Sequence, residues 1–274
     1  MNQVTTRYGD NPMSEISHDR RRIGLGDYDN GKAIDEKDLI RVATDPTSSY
    51  MQALVASANR KMDDIIIAGL TSTAYTGKAG ATSVNFVSTA SGKVSVGAVS
   101  DVQTRITAGT YVARESATEG IDIAKDYTGA AAADSGITLA KLKAVRTTML
   151  KLDAIEQDEV LNCFITAKQF EQLLGITEII NSDYAVRKSL AEGSVTTFMG
   201  FRFIHCERLP LASGVRSLFV FKPRAVKVAV SQDISADMWR LPEKKNIPYI
   251  YVKLGMGITR MWGENLARIQ VTES

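Results

Sequence analysis

The sequence predicts an α+β fold, in which helices and strands are mixed along the chain and do not alternate as β-α-β units. Residues 138–153 place apolar side chains at three- and four-residue steps, which is the spacing of one helix face. Residues 46–69 repeat this spacing over a longer stretch. From residue 196 onward the pattern becomes β-type, and residues 226–230 alternate as a strand with one buried face should.

Residues 1–38 predict a long β-hairpin whose tip lies near residues 9–14, where Gly-Asp-Asn-Pro favours a turn. The returning arm has too few apolar residues to form a core, and an isolated hairpin is marginal in water. We therefore expect the arm to lie against a neighbouring subunit, although its three adjacent arginines would equally suit a solvated charge run. The predicted inter-subunit contacts are Arg20, Arg21, Arg22, Tyr28 and Lys32.

A helix is predicted to begin at Asp45-Pro46 and to end near Gly69, because proline suits the first turn of a helix. Its core-facing stripe is predicted to contain Tyr50, Leu54, Ala58, Met62, Ile65 and Ile66. Between residues 71 and 136 the composition shifts toward Thr, Ser, Ala and Gly, which favours short strands separated by turns. The glycines there lack the spacing of a phosphate-binding loop.

Residues 138–153 form the clearest predicted helix, with Thr138 as its N-cap. Its apolar face predicts ordinary core packing. Its other faces carry the basic residues Lys141, Lys143, Arg146 and Lys151, and the pattern leaves the function of this basic face open. A strand at 160–165 and a short helix at 167–174 follow, and the strands beyond residue 196 complete a β-rich end.

The composition is that of a globular protein, with 44% apolar and 23% charged residues among 274. A net charge of +2 is too balanced for a protein that mainly coats nucleic acid. Cys163 and Cys206 are expected to pack as small hydrophobes. His205 and Cys206 would point to opposite faces of a strand, so a packed histidine is favoured over a catalytic pair. Metal-ligand spacing is missing from the sequence, and we predict neither an enzyme nor a cofactor.

The order of these parts resembles a known family. A polar hairpin, SHDRRRIGLGDYDNGKAIDEKDLIRVATDP, leads to the helix YMQALVASANRKMDDIIIAGL and then to TAYTGKAGAT. The basic helix TLAKLKAVRTTMLKLD and a β-rich end containing VTTFMGFRFIHCERLP follow. This sequence resembles the major capsid proteins of tailed bacteriophages, which have the Hong Kong 97-type fold.

The resemblance implies an extended loop, a peripheral domain with a long spine helix, and an axial domain. The implied divisions are an extended loop at 1–38, a peripheral helix at 39–71, a β-rich linking or inserted segment at 72–137, the spine helix and a strand at 138–166, the axial domain at 167–222, and closing peripheral strands at 223–274.

The resemblance also implies a structural protein that assembles in the host cytoplasm into an icosahedral virion shell of pentamers and hexamers. The shell would enclose double-stranded DNA, and the resemblance implies that Lys141, Lys143, Arg146 and Lys151 face this DNA and bind its phosphates without sequence preference. Portal, scaffolding and decoration proteins would be further partners, with no membrane. Two alternatives stay open: the shell protein of a cellular nanocompartment with the same fold, and a soluble hydrolase using carboxylates near Glu156.

Overall fold

The computed structural model describes residues 20–34, 46–97, 117–130, 132–176 and 197–273. Helices and strands are mixed along these stretches, which confirms the α+β class. The helices are α1 (Pro46–Thr71), α2 (Leu139–Lys151) and α3 (Ala167–Leu174), with 3-10 turns at Pro223–Ala225, Pro242–Lys244 and Gly263–Asn265. The strands are β1 (Arg21–Arg22), β2 (Gly26–Ala33), β3 (Ala74–Thr76), β4 (Thr82–Phe86), β5 (Val94–Val96), β6 (Thr118–Glu119), β7 (Ile121–Ile123), β8 (Leu161–Ile165), β9 (Thr197–Phe198), β10 (Phe201–His205), β11 (Leu211–Ala212), β12 (Val215–Phe221), β13 (Val226–Leu241), β14 (Ile247–Arg260) and β15 (Leu266–Thr272).

Helix α1 is the longest described helix, with 26 residues against 13 in α2. It begins at Pro46 as predicted but continues through Gly69. Gly69 lies in the last turn of the helix, where it allows close packing. A Cβ at this position would lie 1.9 Å from Cγ2 of Ile258 in β14. The glycine therefore lets α1 lie directly on the long strand β14.

The buried face of α1 differs from the predicted stripe. Tyr50 is 38% exposed, and Leu54 and Ala58 are only half-buried. Ile67 and Leu70, which lie outside the predicted stripe, belong to the core. The difference arises because the C-terminal end of the helix, and not its whole length, packs against the main core.

A three-stranded antiparallel sheet, in the order β13-β14-β2, supports α1. Strand β2 pairs along its full length with β14, from Gly26 opposite Met256 to Ala33 opposite Tyr249. The described part of the predicted returning arm is thus supported by its own subunit, whereas the sequence favoured a neighbouring subunit as its support. The predicted tip near residues 9–14 lies outside the described residues.

An eight-stranded sheet holds most of the core. Its order is β5-β7-β15-β12-β8-β10-β9, and β11 pairs with the edge of β12. Helix α2 begins as predicted, with the Thr138 hydroxyl accepting from the Lys141 amide, and it buries Leu142, Val145 and Met149 in the core cluster. The apolar face of this helix is therefore core packing, as the sequence predicts.

The sheet pairing runs across the predicted domain divisions, which stay a prediction. Strand β8 pairs with both β10 and β12, so the boundary at 166/167 would cut through one sheet. Strand β15 pairs with β12, so the closing strands from 223 onward are not a single peripheral unit. Strands β5 and β7 belong to the same sheet, so these described parts of the segment 72–137 are built into the body of the subunit.

A small sheet, in the order β1-β3-β4-β6, joins these parts. Its strands have two to five residues, as the Thr- and Gly-rich composition of the segment predicts. Strand β1 attaches the start of the described chain to β3, and β6 leads directly into β7 of the large sheet. The small sheet therefore places the arm beside the end of β14.

Candidate assembly surfaces

The three adjacent arginines at the start of the described chain have different environments. Arg20 and Arg22 are exposed, and Arg22 lies along the turn at Gly80. The side chain of Arg21 is 10% exposed, and its guanidinium forms an ion pair with the Glu119 carboxylate. The prediction that Arg21 contacts a neighbouring subunit is therefore wrong, because its charge is already paired inside its own subunit. Arg20 and Arg22 remain candidates for contact.

Tyr28 and Lys32 lie on the side of β2 that faces α1. The ammonium of Lys61 is 4.8 Å from the centre of the Tyr28 ring, and the ammonium of Lys32 is 5.9 Å from the centre of the Tyr50 ring. Both distances allow a cation–π interaction. Tyr28 is half-buried by this packing, whereas Lys32 stays exposed at the outer surface.

A buried cluster of charges lies where the arm, the small sheet and the long hairpin meet. The Arg260 side chain has no solvent exposure, and its Nε is 3.8 Å from the Glu119 carboxylate. Its other guanidinium nitrogens donate to the carbonyl oxygens of Leu70 at 3.2 Å, Val84 at 3.0 Å and Ser72. Burial raises the pKa of Glu119 and lowers the pKa of Arg260. The ion pairs oppose both shifts.

The long hairpin β13–β14 carries an exposed apolar surface. Val228 and Val230 are 43% and 50% exposed, so the prediction that these alternating valines line a buried face is wrong. The reason is that β13 is an edge strand, and α1 packs mainly on its neighbour β14. On the same hairpin the Trp239 ring lies 5.4 Å from that of Tyr249 and 5.5 Å from that of Tyr251. Exposed apolar surfaces of this kind often mark contacts with other molecules.

Lys141 does not lie on the open basic face of α2. Its side chain is fully buried, and its ammonium donates to the carbonyl oxygens of Lys125, Ser135, Gly136 and Gln270 at 2.7, 2.8, 3.0 and 3.0 Å. Burial lowers the pKa of Lys141 to about 8. The prediction that Lys141 faces DNA is therefore wrong, because the side chain links α2 to the loop before it and to β15.

The other three basic residues of α2 divide into two groups. Arg146 is half-buried and donates to the carbonyl oxygens of Met199, at 3.0 Å, and Gln157. Gly200 lies beside this guanidinium and has a φ of +76°, a left-handed conformation that favours glycine in this turn. Lys143 and Lys151 are exposed. Only these two ammonium groups present an open basic surface on α2.

The acidic residues after α2 form an exposed surface cluster. The Lys222 ammonium donates to Glu159 at 2.6 Å and holds the pKa of this carboxyl below its ordinary value. An ionised, paired carboxylate is poorly suited to act as a general acid at neutral pH. The described residues contain no group of three or more His, Cys, Asp or Glu that could hold a metal ion. This surface offers no arrangement expected of a hydrolase.

The predicted packed histidine is also corrected. His205 ends β10 with most of its side chain exposed, and its Nε2 lies 2.9 Å from the Glu207 carboxylate. His205 lies on the same side of β10 as the buried Phe201 and Phe203, but it is the last residue of the strand, and burial does not extend to this end. Cys163 is buried and Cys206 half-buried, both as free thiols. Within the described ranges no helix has the length and apolarity needed to cross a membrane.

The fold is similar to that of solved phage capsids. The cyanophage Pam1 capsid subunit matches with a TM-score of 0.61 and 15% identity, over 92% of this chain and 76% of that one. The cyanophage P-SCSP1u capsid matches with a TM-score of 0.59 and 12% identity, over 99% of this chain and 81% of that one. A structure from Mycobacterium phage Che8 matches with a TM-score of 0.57 and 11% identity, over 89% of this chain and 70% of that one. The architecture is thus that of a capsid subunit.

The sequence model of a family described as phage capsid protein matches residues 1–273. The chain belongs to this phage capsid protein family, and it is a structural head protein. None of the curated protein sequences compared with the chain matches it. The family match gives no support to a nanocompartment shell or a hydrolase, and the resemblance found in the sequence is confirmed.

Proposed function

We propose that this protein is the repeating subunit of an icosahedral phage head, in which pentamers and hexamers of the same chain close a shell around double-stranded DNA. The single observation that carries the proposal is the family match over residues 1–273. The exposed valines and aromatic rings of the hairpin β13–β14 support it, because a subunit of a closed shell needs apolar contact surfaces on several sides. Assembly would take place in the host cytoplasm.

The proposal assigns different roles to the three-stranded sheet and the eight-stranded sheet. The three-stranded sheet with α1 serves as the peripheral part, and α1 replaces residues 138–153 as the spine helix because it is twice as long and lies along this sheet. The eight-stranded sheet with α2 and α3 serves as the axial part that meets its copies around five- and six-fold axes. Residues 1–38 keep their proposed role as an extended loop that reaches a neighbour.

Electron microscopy of the purified full-length protein tests the proposal. We expect negative-stain images to show closed shells or rings of five and six subunits, because many weak contacts repeated by symmetry act together. Portal, scaffolding and decoration proteins would modify the shell but are not needed for capsomers to appear. A protein that stays monomeric at high concentration would contradict the proposal.

The proposed DNA contact narrows to Lys143 and Lys151, the two exposed cations of α2. Their ammonium groups would bind phosphate without reading the base sequence. We expect the double variant Lys143→Ala/Lys151→Ala to bind a random-sequence duplex with a salt dependence weakened by about 1.8 in log–log slope, which corresponds to two lost phosphate contacts. Fluorescence anisotropy with a labelled duplex across a salt series measures this slope.

Two exposed lysines outside α2 provide the control for this experiment. Lys78 and Lys227 lie in a surface turn and on β13, and the variant Lys78→Ala/Lys227→Ala removes the same charge. We expect the control variant to keep the wild-type slope. An equal reduction of the salt-dependence slope in both variants would show that overall charge, and not the α2 surface, binds the DNA.

A further inference from the structure

We infer that the Arg21–Glu119 ion pair is a positioning device for assembly, which holds residues 20–25 at a fixed place on the subunit so that they can meet a second copy of this chain. This inference rests on the proposed shell function. It concerns a pair that does not itself touch the neighbour.

The segment has weak apolar anchoring. Leu25 is 55% exposed and Ile23 is only half-buried. Strand β1 has two residues, which face Thr76 and Tyr75 in β3. Such a short pairing contributes little by itself. The segment therefore needs a further attachment if its position is to be fixed.

Arg21 supplies this attachment. Its side chain and that of Glu119 are 10% and 4% exposed, so the pair is shielded from water and from salt. The Thr76 hydroxyl donates to the Arg20 carbonyl at 3.0 Å beside it. At the other end of the segment, a Cβ on Gly257 would lie 2.0 Å from the Gly24 carbonyl oxygen, so the backbone of the segment rests closely on β14.

The fixed segment presents a surface suited to another subunit. Arg20, Arg22 and Leu25 all point outward, which places two guanidinium groups and one large apolar side chain on a few consecutive residues. Arginine together with an apolar group is typical of interface composition. A second copy is the expected occupant, because exposed carboxylates such as those of Glu156 and Asp158 occur on every subunit and complement the guanidinium charge.

The pair can be removed without leaving a bare buried charge. In an Arg21→Met variant the Glu119 carboxylate keeps Arg260 as a cationic neighbour at 3.8 Å. The core of the eight-stranded sheet does not include Arg21. We therefore expect this variant to fold, while residues 20–25 lose their fixed position.

The test compares full-length Arg21→Met with Arg22→Met, which makes the same exchange at an exposed neighbour. We expect Arg21→Met to keep a cooperative melting transition at a lowered temperature, because Glu119 loses its directly bonded cation. We expect its yield of closed shells to fall at least about tenfold, because symmetry repeats the defect in every subunit. Arg22→Met should retain more shells than Arg21→Met, and Arg21→Lys should restore part of the yield. A second readout is chymotrypsin cleavage after Leu25 in unassembled protein, which should be faster in Arg21→Met alone.

Three results would overturn the inference. Shells of Arg21→Met in wild-type yield would show that the pair does not matter for assembly. Equally accelerated cleavage after Leu25 in Arg22→Met would indicate a general effect of removing an arginine, and loss of the melting transition in Arg21→Met would indicate a folding role. If wild-type protein forms no shells, the proposed function fails. The cleavage readout still decides whether Arg21 holds the segment, because unchanged cleavage after Leu25 refutes this step.

Discussion

Replacing Arg260 by methionine is expected to lower the free energy of unfolding by about 3 to 5 kcal/mol, the usual cost of removing one partner from a buried charge cluster. The guanidinium has no solvent exposure and bonds to the carbonyl oxygens of Leu70, Ser72 and Val84. Methionine fills similar space but donates no hydrogen bond. The three carbonyls would lose their charged donor, and Glu119 would keep only Arg21.

The structural consequence should be local at first. The carbonyls of Leu70 and Ser72 lie at the C-terminal end of α1, and that of Val84 lies in β4. Arg260 thus fixes the end of the long helix against the small sheet and the end of β14. Without this link we expect the contact between α1 and the small sheet to loosen before the eight-stranded sheet unfolds.

Urea unfolding followed by far-ultraviolet circular dichroism measures the loss, and tryptophan fluorescence reports on Trp239 and on Trp262, which lies two residues beyond the substitution. The matched control is Arg240→Met, because Arg240 lies on the same hairpin and is exposed. We expect the control to change stability by less than about 0.5 kcal/mol. If the two variants lost equal stability, the loss in Arg260→Met could not be attributed to the buried hydrogen bonds of Arg260.

The sequence was a good guide where local chemistry decides the structure. Proline at 46 and the threonine hydroxyl at 138 mark helix starts, since both act on the first turn alone. The apolar period of residues 138–153 predicted the buried face of α2 because that face packs on a sheet along its length. Family membership also followed from the order of such elements along the chain.

The sequence was a poor guide where distant segments meet. Lys141 looks like a surface lysine, since nothing nearby in sequence reveals that the carbonyls of Lys125 and Gln270 surround its ammonium. Arg21 looks like one of three equal arginines until the fold brings Glu119 to it. Val228 and Val230 look like core residues until β13 proves to be an edge strand. In each case the fold, and not the local pattern, decides burial.

Replacing Lys141 by methionine is expected to cost about 2 to 3 kcal/mol of unfolding free energy, because four carbonyl oxygens lose a charged donor while the burial cost of the ammonium is relieved. Lys143→Met, two residues along the same helix but exposed, is the control and should be nearly neutral. Urea unfolding at pH 7 compares the two variants. A loss in Lys143→Met as large as that in Lys141→Met would contradict the assignment of this stability to the hydrogen bonds of the buried Lys141 ammonium.

The pH dependence of this loss distinguishes the buried ammonium from a simple packing defect. Burial lowers the pKa of Lys141 from 10.5 to about 8, so the folded protein releases this proton before the unfolded chain does. Below pH 8 both states hold the proton, and the difference between wild type and Lys141→Met should be constant. Between pH 8 and 10.5 the unfolded state binds more protons, so wild type should gain at most about 1.4 kcal/mol per pH unit over the variant. A constant difference across this window would show that the ammonium keeps its ordinary pKa, and that the four carbonyls fully replace its lost hydration.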